Sequence, residues 1–336
     1  MRILFVWTAA EYATHDVARG YRGALQRQGH VIRDYKLNKR MAYHARALGK
    51  PNNLDVGLVS RLASENVLIE AIRHRAELVV VISGLVFHPD GVWFLARCGI
   101  RTATLFTESP YDDEKQYTFA TVHPEMICAT QERTSATQYG WRYLRPAYDP
   151  QVHRPGDPDP AEACDVLMIG TGWPERQELL EQVDWTGIRL RLIGTWHLKP
   201  KTEDDGDVWP QRTGRTGLDQ YIETNCIDNP GAVPLYWSAK ICLNMHRAHP
   251  TAESLNPRAM ELAACGAFQI SDRRAEVTEL FDGSVPTFGW SARELEGMIR
   301  HYLSRPHERA TCARNAQARV QGETFDERAQ ALMSAL

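Results

Sequence analysis

The chain has 336 residues, of which 43% are hydrophobic and 24% are charged, and its formal net charge is −3. This composition is ordinary for a globular protein and excludes the disordered and fibrous classes. The seven cysteines include no C-x-x-C pair, which argues against a disulfide framework or a zinc cluster. The N-terminal apolar run is too short for a signal peptide, and no stretch approaches the ~20 apolar residues of a membrane span, so we expect a cytoplasmic protein.

The first half of the chain predicts β-α-β units. An apolar strand over Arg2–Trp7 leads through a loop over 8–15 into a helix over 16–28, and a second strand follows over 30–35. No G-x-G-x-x-G follows the first strand, which argues against NAD or FAD. Further elements of this half are a helix over 59–72 and strands over 77–82, 100–106 and 126–129.

A basic segment over 34–50 is interleaved with aromatic side chains and contains Lys36, Lys39 and Arg40. Residues 1–150 as a whole carry 19 Lys and Arg against 15 Asp and Glu, whereas the rest carries 20 against 27. One interpretation of the segment is a solvated helix or loop face. The other is a contact surface for a polyanion such as nucleic acid.

A Pro/Gly/Asp-rich segment over 145–160 predicts a domain boundary. A second sheet begins after it, with strands over 165–169, 188–193 and 241–245 and a helix from about Pro174. The charged stretch 199–217 is expected to be a mobile loop. Helices are also predicted over 295–302 and 325–336.

The run over 243–272 predicts a loop, a helix and a strand. Asn256 suits the N-cap position, Pro257 the first helical position and Gly266 a left-handed C-terminus. A helix N-terminus beside arginines and carboxylates is typical of a site for a phosphate and a polyol. The polar residues near this N-terminus are His246, Arg247, His249, Glu253, Ser254, Asn256, Arg258 and Glu261.

These motifs resemble the glycosyltransferases of the GT-B fold, in particular the spore-protein-related glycosyltransferase-like family. The resemblance is carried by G-T-G-W-P-E-R, L-N-M-H-R and E-S-L-N-P-R-A-M-E-L-A-A-C-G-A-F, within 165–282. It implies an α/β fold of two Rossmann-like domains facing a central cleft. The expected boundaries are an acceptor-side domain over 1–148, a nucleotide-sugar-binding domain over 149–320 and a C-terminal helix over 321–336 that packs back on the first domain.

The resemblance also implies roles for residues of the second half. Glu261 would accept the ribose hydroxyls, and Glu253, which stands in an E-x7-E pair with it, would contact the donor sugar. The alternative for each carboxylate is an ordinary surface position. The remaining donor-site residues would surround the diphosphate of the donor, with backbone amides, glycine turns and cations. They are Gly170, Thr171, Gly172, Arg176, His246, Arg247, Ser254, Leu255, Asn256 and Arg258.

No cofactor is expected beyond the donor itself, for which a UDP-sugar is predicted. His246 and His249 lack a third ligand nearby, so no metal site is predicted. The helix dipole and the arginines would stabilise the leaving nucleoside diphosphate instead.

A catalytic base is needed if the reaction inverts the anomeric configuration. The candidates lie on loops that follow predicted strands of the first half: His15 with the adjacent Asp16, His88 and Glu108. If the reaction retains configuration, the leaving phosphate can act as the base. The E-x7-E spacing favours retention, and each candidate has a structural or acceptor-binding role as its alternative.

The predicted function is the transfer of a sugar from a nucleotide-sugar donor to an acceptor hydroxyl. The acceptor is a small molecule, a glycan precursor or a hydroxymethylated base in DNA. Two alternatives on the same fold are a nucleotide-sugar 2-epimerase and an inactive nucleotide-sugar-binding protein. Product analysis with the donor alone separates the first alternative from transfer, and donor binding without turnover identifies the second.

Overall fold

A computed structural model describes residues 1–8, 13–49, 55–196, 217–223 and 226–336. The expected loop over 199–217 lies outside these residues apart from Gly217. The chain folds into two compact units. The first comprises Met1–Pro146, Thr251–Ser254 and Thr324–Leu336, and the second comprises Ala147–Pro250 and Leu255–Glu323.

The first unit is built on a six-stranded parallel sheet with the strand order β2-β1-β3-β4-β5-β6. Its central strands are apolar and buried on both faces, as parallel strands between two helix layers are. The elements, in chain order, are β1 (Arg2–Trp7), α1 (Ala13–Arg27), β2 (Val31–Lys36), α2 (Leu37–Ala47), α3 (Val56–His74), β3 (Leu78–Ile82), α4 (Pro89–Arg97), β4 (Arg101–Phe106), α5 (Asp113–Thr121), β5 (Ile127–Thr130), α6 (Arg133–Tyr139) and β6 (Arg142–Tyr143).

The second unit has its own parallel sheet, with the strand order β12-β11-β10-β7-β8-β9. Separate buried clusters form its core on the two faces of that sheet. The elements are β7 (Cys164–Ile169), α7 (Pro174–Glu181), β8 (Leu190–Ile193), β9 (Ile222–Glu223), α8 (Asn229–Ser238), β10 (Ala239–Asn244), α9 (Pro257–Ala264), β11 (Gln269–Asp272), α10 (Ala275–Phe281), β12 (Thr287–Phe288), α11 (Ala292–Leu303) and α12 (Pro306–Arg319).

Two Rossmann-like sheets confirm the predicted fold class. In each sheet the chain runs first to one side and then to the other, with the reversal between β1 and β3 in the first unit and between β7 and β10 in the second. Open α/β sheets bind ligands outside the carboxyl ends of the strands at such a reversal. A ligand site is therefore expected at the loops that follow these strands.

The predicted strands agree with the observed strands to within two residues, whereas the short strands β6, β9 and β12 were not predicted and some helices differ. The first strand was predicted at Arg2–Trp7 and is found there. The first helix begins at Ala13, three residues before its predicted start, so His15 lies within the first turn of α1 and not on a loop. Helices α4, α5, α6, α8 and α12 were not predicted.

The predicted caps of α9 are confirmed. The Asn256 side chain accepts a hydrogen bond of 3.0 Å from the amide of Ala259, and Pro257 is the first helical residue. Gly266 follows the helix with φ of 69°, the left-handed conformation in which glycine carries no Cβ penalty.

The final helix, α13 (Phe325–Met333), belongs to the first unit and packs on α1. The Phe325 ring lies edge-on to Tyr21 with centroids 5.3 Å apart, directly over Gly20. Arg27 donates two hydrogen bonds of 2.8 and 2.7 Å to the carboxylate of Asp326. No helix in the described part of the chain is both long and apolar enough to cross a membrane.

Candidate functional site

The turns that leave β7 and β8 lie in direct backbone contact at the carboxyl edge of the second sheet. The amide of Gly170 donates to the carbonyl of Ile193 and that of Gly172 to the carbonyl of Thr195, each at 2.8 Å. A Cβ on Gly194, whose φ is 128°, would lie 2.2 Å from the carbonyl oxygen of Gly170. Glycine is therefore required where the two turns meet.

Two arginines converge on the turn after β7. A Cβ placed on Gly170 would lie 3.6 Å from Nη1 of Arg176 and 3.7 Å from Nη1 of Arg258. Arg176 is buried and donates to the carbonyls of Thr171 (2.7 Å) and Met245, so it joins the turns after β7 and β10. Two guanidinium groups beside a glycine without a side chain form a positively charged surface of the kind that binds phosphate oxygens.

Thr171 supplies two donors at this surface. Its carbonyl accepts from Arg176 and from the amide of Trp173, but its own amide and hydroxyl have no partner among the described residues. The amides of Gly170 and Gly172 are bonded to the neighbouring turn. Within the predicted turn over 170–172, the donors open to a ligand are thus those of Thr171.

The loop after β10 is fixed against the start of α7. The guanidinium carbon of Arg247 lies 4.4 Å from the centroid of the Trp173 ring, a cation–π contact. The amide of Ala248 donates to Glu175 Oε1 at 3.2 Å. Arg247 therefore has a packing partner in this structure, and its charge lies over an aromatic face beside the glycine turn.

His246 is a buried connector between β11 and the start of α9. Its Nε2 accepts from the amide of Asn256 at 3.0 Å, so Nδ1 carries the proton and donates to Asp272 Oδ1 at 2.6 Å. Burial alone would raise the pKa of Asp272, but His246 and the guanidinium of Arg274 outweigh it and hold the pKa at about 2. His246 thus positions the N-terminus of α9 and leaves neither ring nitrogen for a ligand.

The backbone amides before α9 are bonded to carboxylates and a histidine of the protein. The amide of Ser254 donates to Glu132 at 3.3 Å, that of Leu255 to Glu276 at 3.0 Å, and that of Asn256 to His246. The amides of Ser254, Leu255 and Asn256, which were predicted to face a diphosphate, therefore each have an acceptor within the chain.

Glu261 lies on α9 and is 5% exposed, so it is not the surface residue that its alternative interpretation required. Asn229, at the first position of α8, donates to Oε1 of Glu261 at 2.9 Å. This is the carboxylate's one hydrogen bond among the described residues. An ionised carboxylate accepts several hydrogen bonds, so Glu261 has capacity for the hydroxyl groups of a ligand.

Glu253 lies with the first unit, in the segment Thr251–Ser254. Its side chain is 49% exposed, and Oε2 is 3.3 Å from Nη2 of Arg133. Its amide donates to the buried carboxylate of Glu132 at 3.2 Å. The carboxylate of Glu253 is therefore accessible to solvent and paired with one arginine.

Three of the four base candidates are held at the carboxyl edge of the first sheet by specific contacts. The His15 ring packs on Trp7 with centroids 4.9 Å apart, and Asp16 lies 3.6 Å from Arg19. Glu108, after β4, accepts a hydrogen bond of 3.1 Å from Thr14 at the start of α1. The starts of α1 and of the loop after β4 thus meet beside the reversal between β1 and β3.

His88 has a capping role in this structure. It is the N-cap of α4, and its Nδ1 accepts from the amide of Asp90 at 3.2 Å, while its own amide donates to Ser64 at 2.8 Å. One ring nitrogen is therefore occupied by the helix terminus. Of the four candidates, this residue has the clearest structural assignment.

Several residues that hold the site together were missed from the sequence. Asn229 sets the orientation of Glu261, and Asp272, Glu132 and Glu276 accept the amides or the imidazole that precede α9. Asp272 had a usable signal, because a carboxylate at the end of a predicted strand lies at the ligand edge of the sheet. The described residues contain no group of three or more His, Cys, Asp or Glu that could hold a metal ion.

Comparison with known families and proteins gives matches in sequence. A family model described as glycosyl transferase-like matches residues 162–334, which is more than half of the chain. Spore protein CgeB of Bacillus subtilis (strain 168) is 26% identical over 174 residues, covering 48% of this chain and 51% of that protein. The chain thus matches about half the length of this curated relative.

Solved structures of similar fold cover nearly the whole chain. Sucrose-phosphate synthase from Thermosynechococcus elongatus has a TM-score of 0.66, with 13% identity over 99% of this chain and 97% of that one. Alr3699/HepE of Anabaena, solved with UDP-glucose, has a TM-score of 0.65 and 14% identity over all of both chains. An alpha-glucosyltransferase solved with UDP and a 13-mer DNA containing an HMU base has a TM-score of 0.62 and 10% identity, over 96% of this chain and 96% of that one. At these identities the likeness shows the fold.

Proposed function

Because the chain belongs to the glycosyl transferase-like family, we propose that it transfers a sugar from a nucleotide-sugar donor, a UDP-sugar, to an acceptor hydroxyl. The observation that carries this proposal is the convergence of Arg176 and Arg258 on Gly170, beside the amide and hydroxyl of Thr171. Similar folds solved with UDP-glucose and with UDP and DNA support it.

Binding of the donor uses two side chains of α9 that lie about one turn apart. Near its start, Arg258 faces the turn after β7, where the diphosphate receives hydrogen bonds from guanidinium groups and from Thr171. One turn further along the helix, Glu261 accepts the ribose hydroxyls while Asn229 holds its other oxygen. The uridine end is thus recognised by a carboxylate, and the charged end by cations.

The chemical step breaks the bond between the anomeric carbon and the diphosphate oxygen and forms one to the acceptor oxygen. The acceptor hydroxyl loses its proton, and the leaving diphosphate gains negative charge. Arg176 and Arg258 stabilise this charge in place of a metal ion, since fixed positive groups act most strongly on charge that develops in the transition state. Arg176, held by two carbonyls, requires little reorganisation to do so.

The destination of the acceptor proton depends on stereochemistry. With retention, the leaving phosphate takes it. With inversion, the base comes from His15 or Asp16 in the first turn of α1, or from Glu108 after β4, whose carboxylate accepts from Thr14 at the start of α1. The acceptor is a small molecule, a glycan precursor or a hydroxymethylated base in DNA, and Glu253 contacts the donor sugar in this scheme.

Titration calorimetry with UDP and with uridine, in buffer containing EDTA, tests whether Arg258 binds the diphosphate of the donor and Glu261 its ribose. Arg258→Gln is expected to weaken UDP binding by roughly tenfold to a hundredfold and to leave uridine binding unchanged, because it removes a charge-assisted hydrogen bond to phosphate. Glu261→Gln keeps an acceptor for Asn229 and is expected to weaken both ligands similarly.

The exposed residues Arg293 and Glu178, changed to Gln, are the matched controls and should not alter either affinity. Unchanged UDP affinity in Arg258→Gln would overturn the phosphate assignment. Binding that required added Mg²⁺ would contradict the role given to the arginines. Incubation with UDP-glucose alone, followed by product analysis, distinguishes transfer from epimerisation.

A further inference from the structure

A basic groove lies along the open edge of the first sheet, formed by β2, α2 and one residue of α3. Its volume is about 460 Å³. Five cationic side chains line it against two carboxylates. The lining residues are Arg33, Asp34, Tyr35, Lys36, Lys39, Arg40, Tyr43, Arg46 and Glu70.

The positive charge of the groove is a property of the local sequence. Residues 1–50 contain ten Lys and Arg against three Asp and Glu, and α2 contains no acidic residue. Local enrichment of this kind produces a positive potential that attracts anions even on a protein with a negative net charge. The positive charge of the groove therefore comes from residues of the first unit.

Buried Glu70 organises one wall of the groove. Its carboxylate is 2.6 Å from Arg33 Nη2, 2.9 Å from Arg73 Nη1 and 3.8 Å from Arg40 Nη2. One carboxylate thus pairs with three guanidinium groups while offsetting a single charge, and two of the three, Arg33 and Arg40, line the groove. The wall keeps a net positive charge and a defined shape.

A stripe of three residues on α2 carries the groove's uncompensated charge. Lys39, Tyr43 and Arg46 follow each other at spacings of four and three, so they lie on one face of the helix over about 10 Å. Neither Lys39 nor Arg46 has an acidic partner among the described residues. Tyr43, between them, is 54% exposed.

We propose that this groove binds a single-stranded segment of nucleic acid, with successive phosphates along Lys39, Arg40 and Arg46 and a base stacked on Tyr43. Cations spread over such a length suit several phosphates better than one. An exposed aromatic ring between cations matches the way proteins hold single strands, in which a positive groove follows the backbone and rings stack on bases. An anionic polysaccharide would use the cations alone.

This inference concerns binding and goes beyond sugar transfer. Its test contains no nucleotide sugar. The binding proposal can therefore fail while the proposed sugar transfer holds, and sugar transfer can fail while the binding proposal holds. Of the three acceptors named in the proposed function, nucleic-acid binding favours the hydroxymethylated base in DNA.

The test is fluorescence anisotropy with a labelled 12-mer of oligothymidylate, titrated over a range of KCl concentrations. The double variant Lys39→Gln, Arg46→Gln is expected to reduce the slope of log affinity against log salt by about 1.4, because each phosphate contact on a single strand contributes about 0.7. Tyr43→Ala is expected to weaken binding about tenfold, and Tyr43→Phe to retain it, because stacking needs only the ring.

The matched control removes two exposed charges elsewhere in the same unit, Arg97→Gln with Lys115→Gln, and should leave the slope unchanged. Heparin binding should depend on Lys39 and Arg46 but not on Tyr43. Absence of oligonucleotide binding at 20 mM salt would overturn the proposal, and so would tighter binding of a duplex of the same length. The proposal would also be wrong if Tyr43→Ala changed heparin binding and oligonucleotide binding to the same extent, or changed neither.

Discussion

His246 shows how one buried side chain fixes the start of the helix that carries the donor-site residues. Its two ring nitrogens have opposite roles, since Nε2 accepts from Asn256 and Nδ1 donates to Asp272. Asp272 also accepts from the amide of His246 at 2.7 Å and from Nε of Arg274 at 3.2 Å. The carboxylate is therefore surrounded by donors and contributes to stability only while it is ionised.

The pH dependence of folding follows from the low pKa of Asp272. Its folded-state pKa of about 2 lies below the ordinary 3.8, so its contribution is present above about pH 4 and is lost as the pH falls toward 2. A difference of this size corresponds to about 2 kcal/mol. Urea unfolding between pH 5 and pH 2 should show a decline that is about 2 kcal/mol smaller in Asp272→Asn than in the unaltered protein. Equal declines would contradict the assignment.

Local and distant contacts differ in how far the sequence predicts them. The N-cap role of Asn256 follows from a bond that spans three residues, so the residue type and its position were sufficient. The carboxylates that accept the preceding amides come from Glu132 and Glu276, which are 122 and 21 residues away along the chain. Because this pairing depends on tertiary structure, the sequence did not identify these carboxylates as the acceptors, and the amides were predicted to bind a diphosphate instead.

The elements show the same distinction between strong and weak local signals. Strands such as β3 are continuous apolar runs and were predicted within one residue. Helix α12 buries only two of its residues, Ala313 and Ala316, so it has almost no apolar face from which to predict it. The start of α1 was placed late because its first turn, with Thr14, His15 and Asp16, is polar.

The packing of α13 on α1 makes two glycines of one helix respond in opposite ways to the same substitution. A Cβ on Gly20 would lie 2.2 Å from the buried Phe325 ring, whereas one on Gly23 would meet only the guanidinium at the end of the Arg27 side chain, 3.2 Å from Nη1. Gly20→Ala should therefore lower the free energy of unfolding by about 1–3 kcal/mol through overpacking. Gly23→Ala should raise it by about 0.5–1 kcal/mol, since alanine favours a helix interior.

Urea unfolding of the two variants provides the comparison. Similar stabilisation by both would show that Phe325 does not pack over Gly20. A second measurement, the restoration of stability in Gly20→Ala when Phe325 is shortened to Leu, would tie the loss to that ring.

At the scale of the whole molecule, each unit has its own sheet and its own hydrophobic core. The residues assigned to the uridine and diphosphate of the donor all lie in the second unit. A ligand that binds only the folded form stabilises the part of the protein whose unfolding would release the ligand. The stabilisation is about 2.7 kcal/mol at a ligand concentration of 100 times its Kd. UDP should therefore protect the core of the second unit and leave that of the first unchanged.

Hydrogen exchange measured on the two central strands β3 and β7 checks this expectation, because both are buried parallel strands with the same kind of surroundings. Saturating UDP should slow exchange in β7 by up to about a hundredfold and leave β3 unaffected. The variant Glu261→Gln should need a correspondingly higher UDP concentration for the same effect. Protection that appeared equally in β3 would mean that the first unit also binds the nucleotide, and the assignment of the uridine and diphosphate to residues of the second unit alone would be wrong.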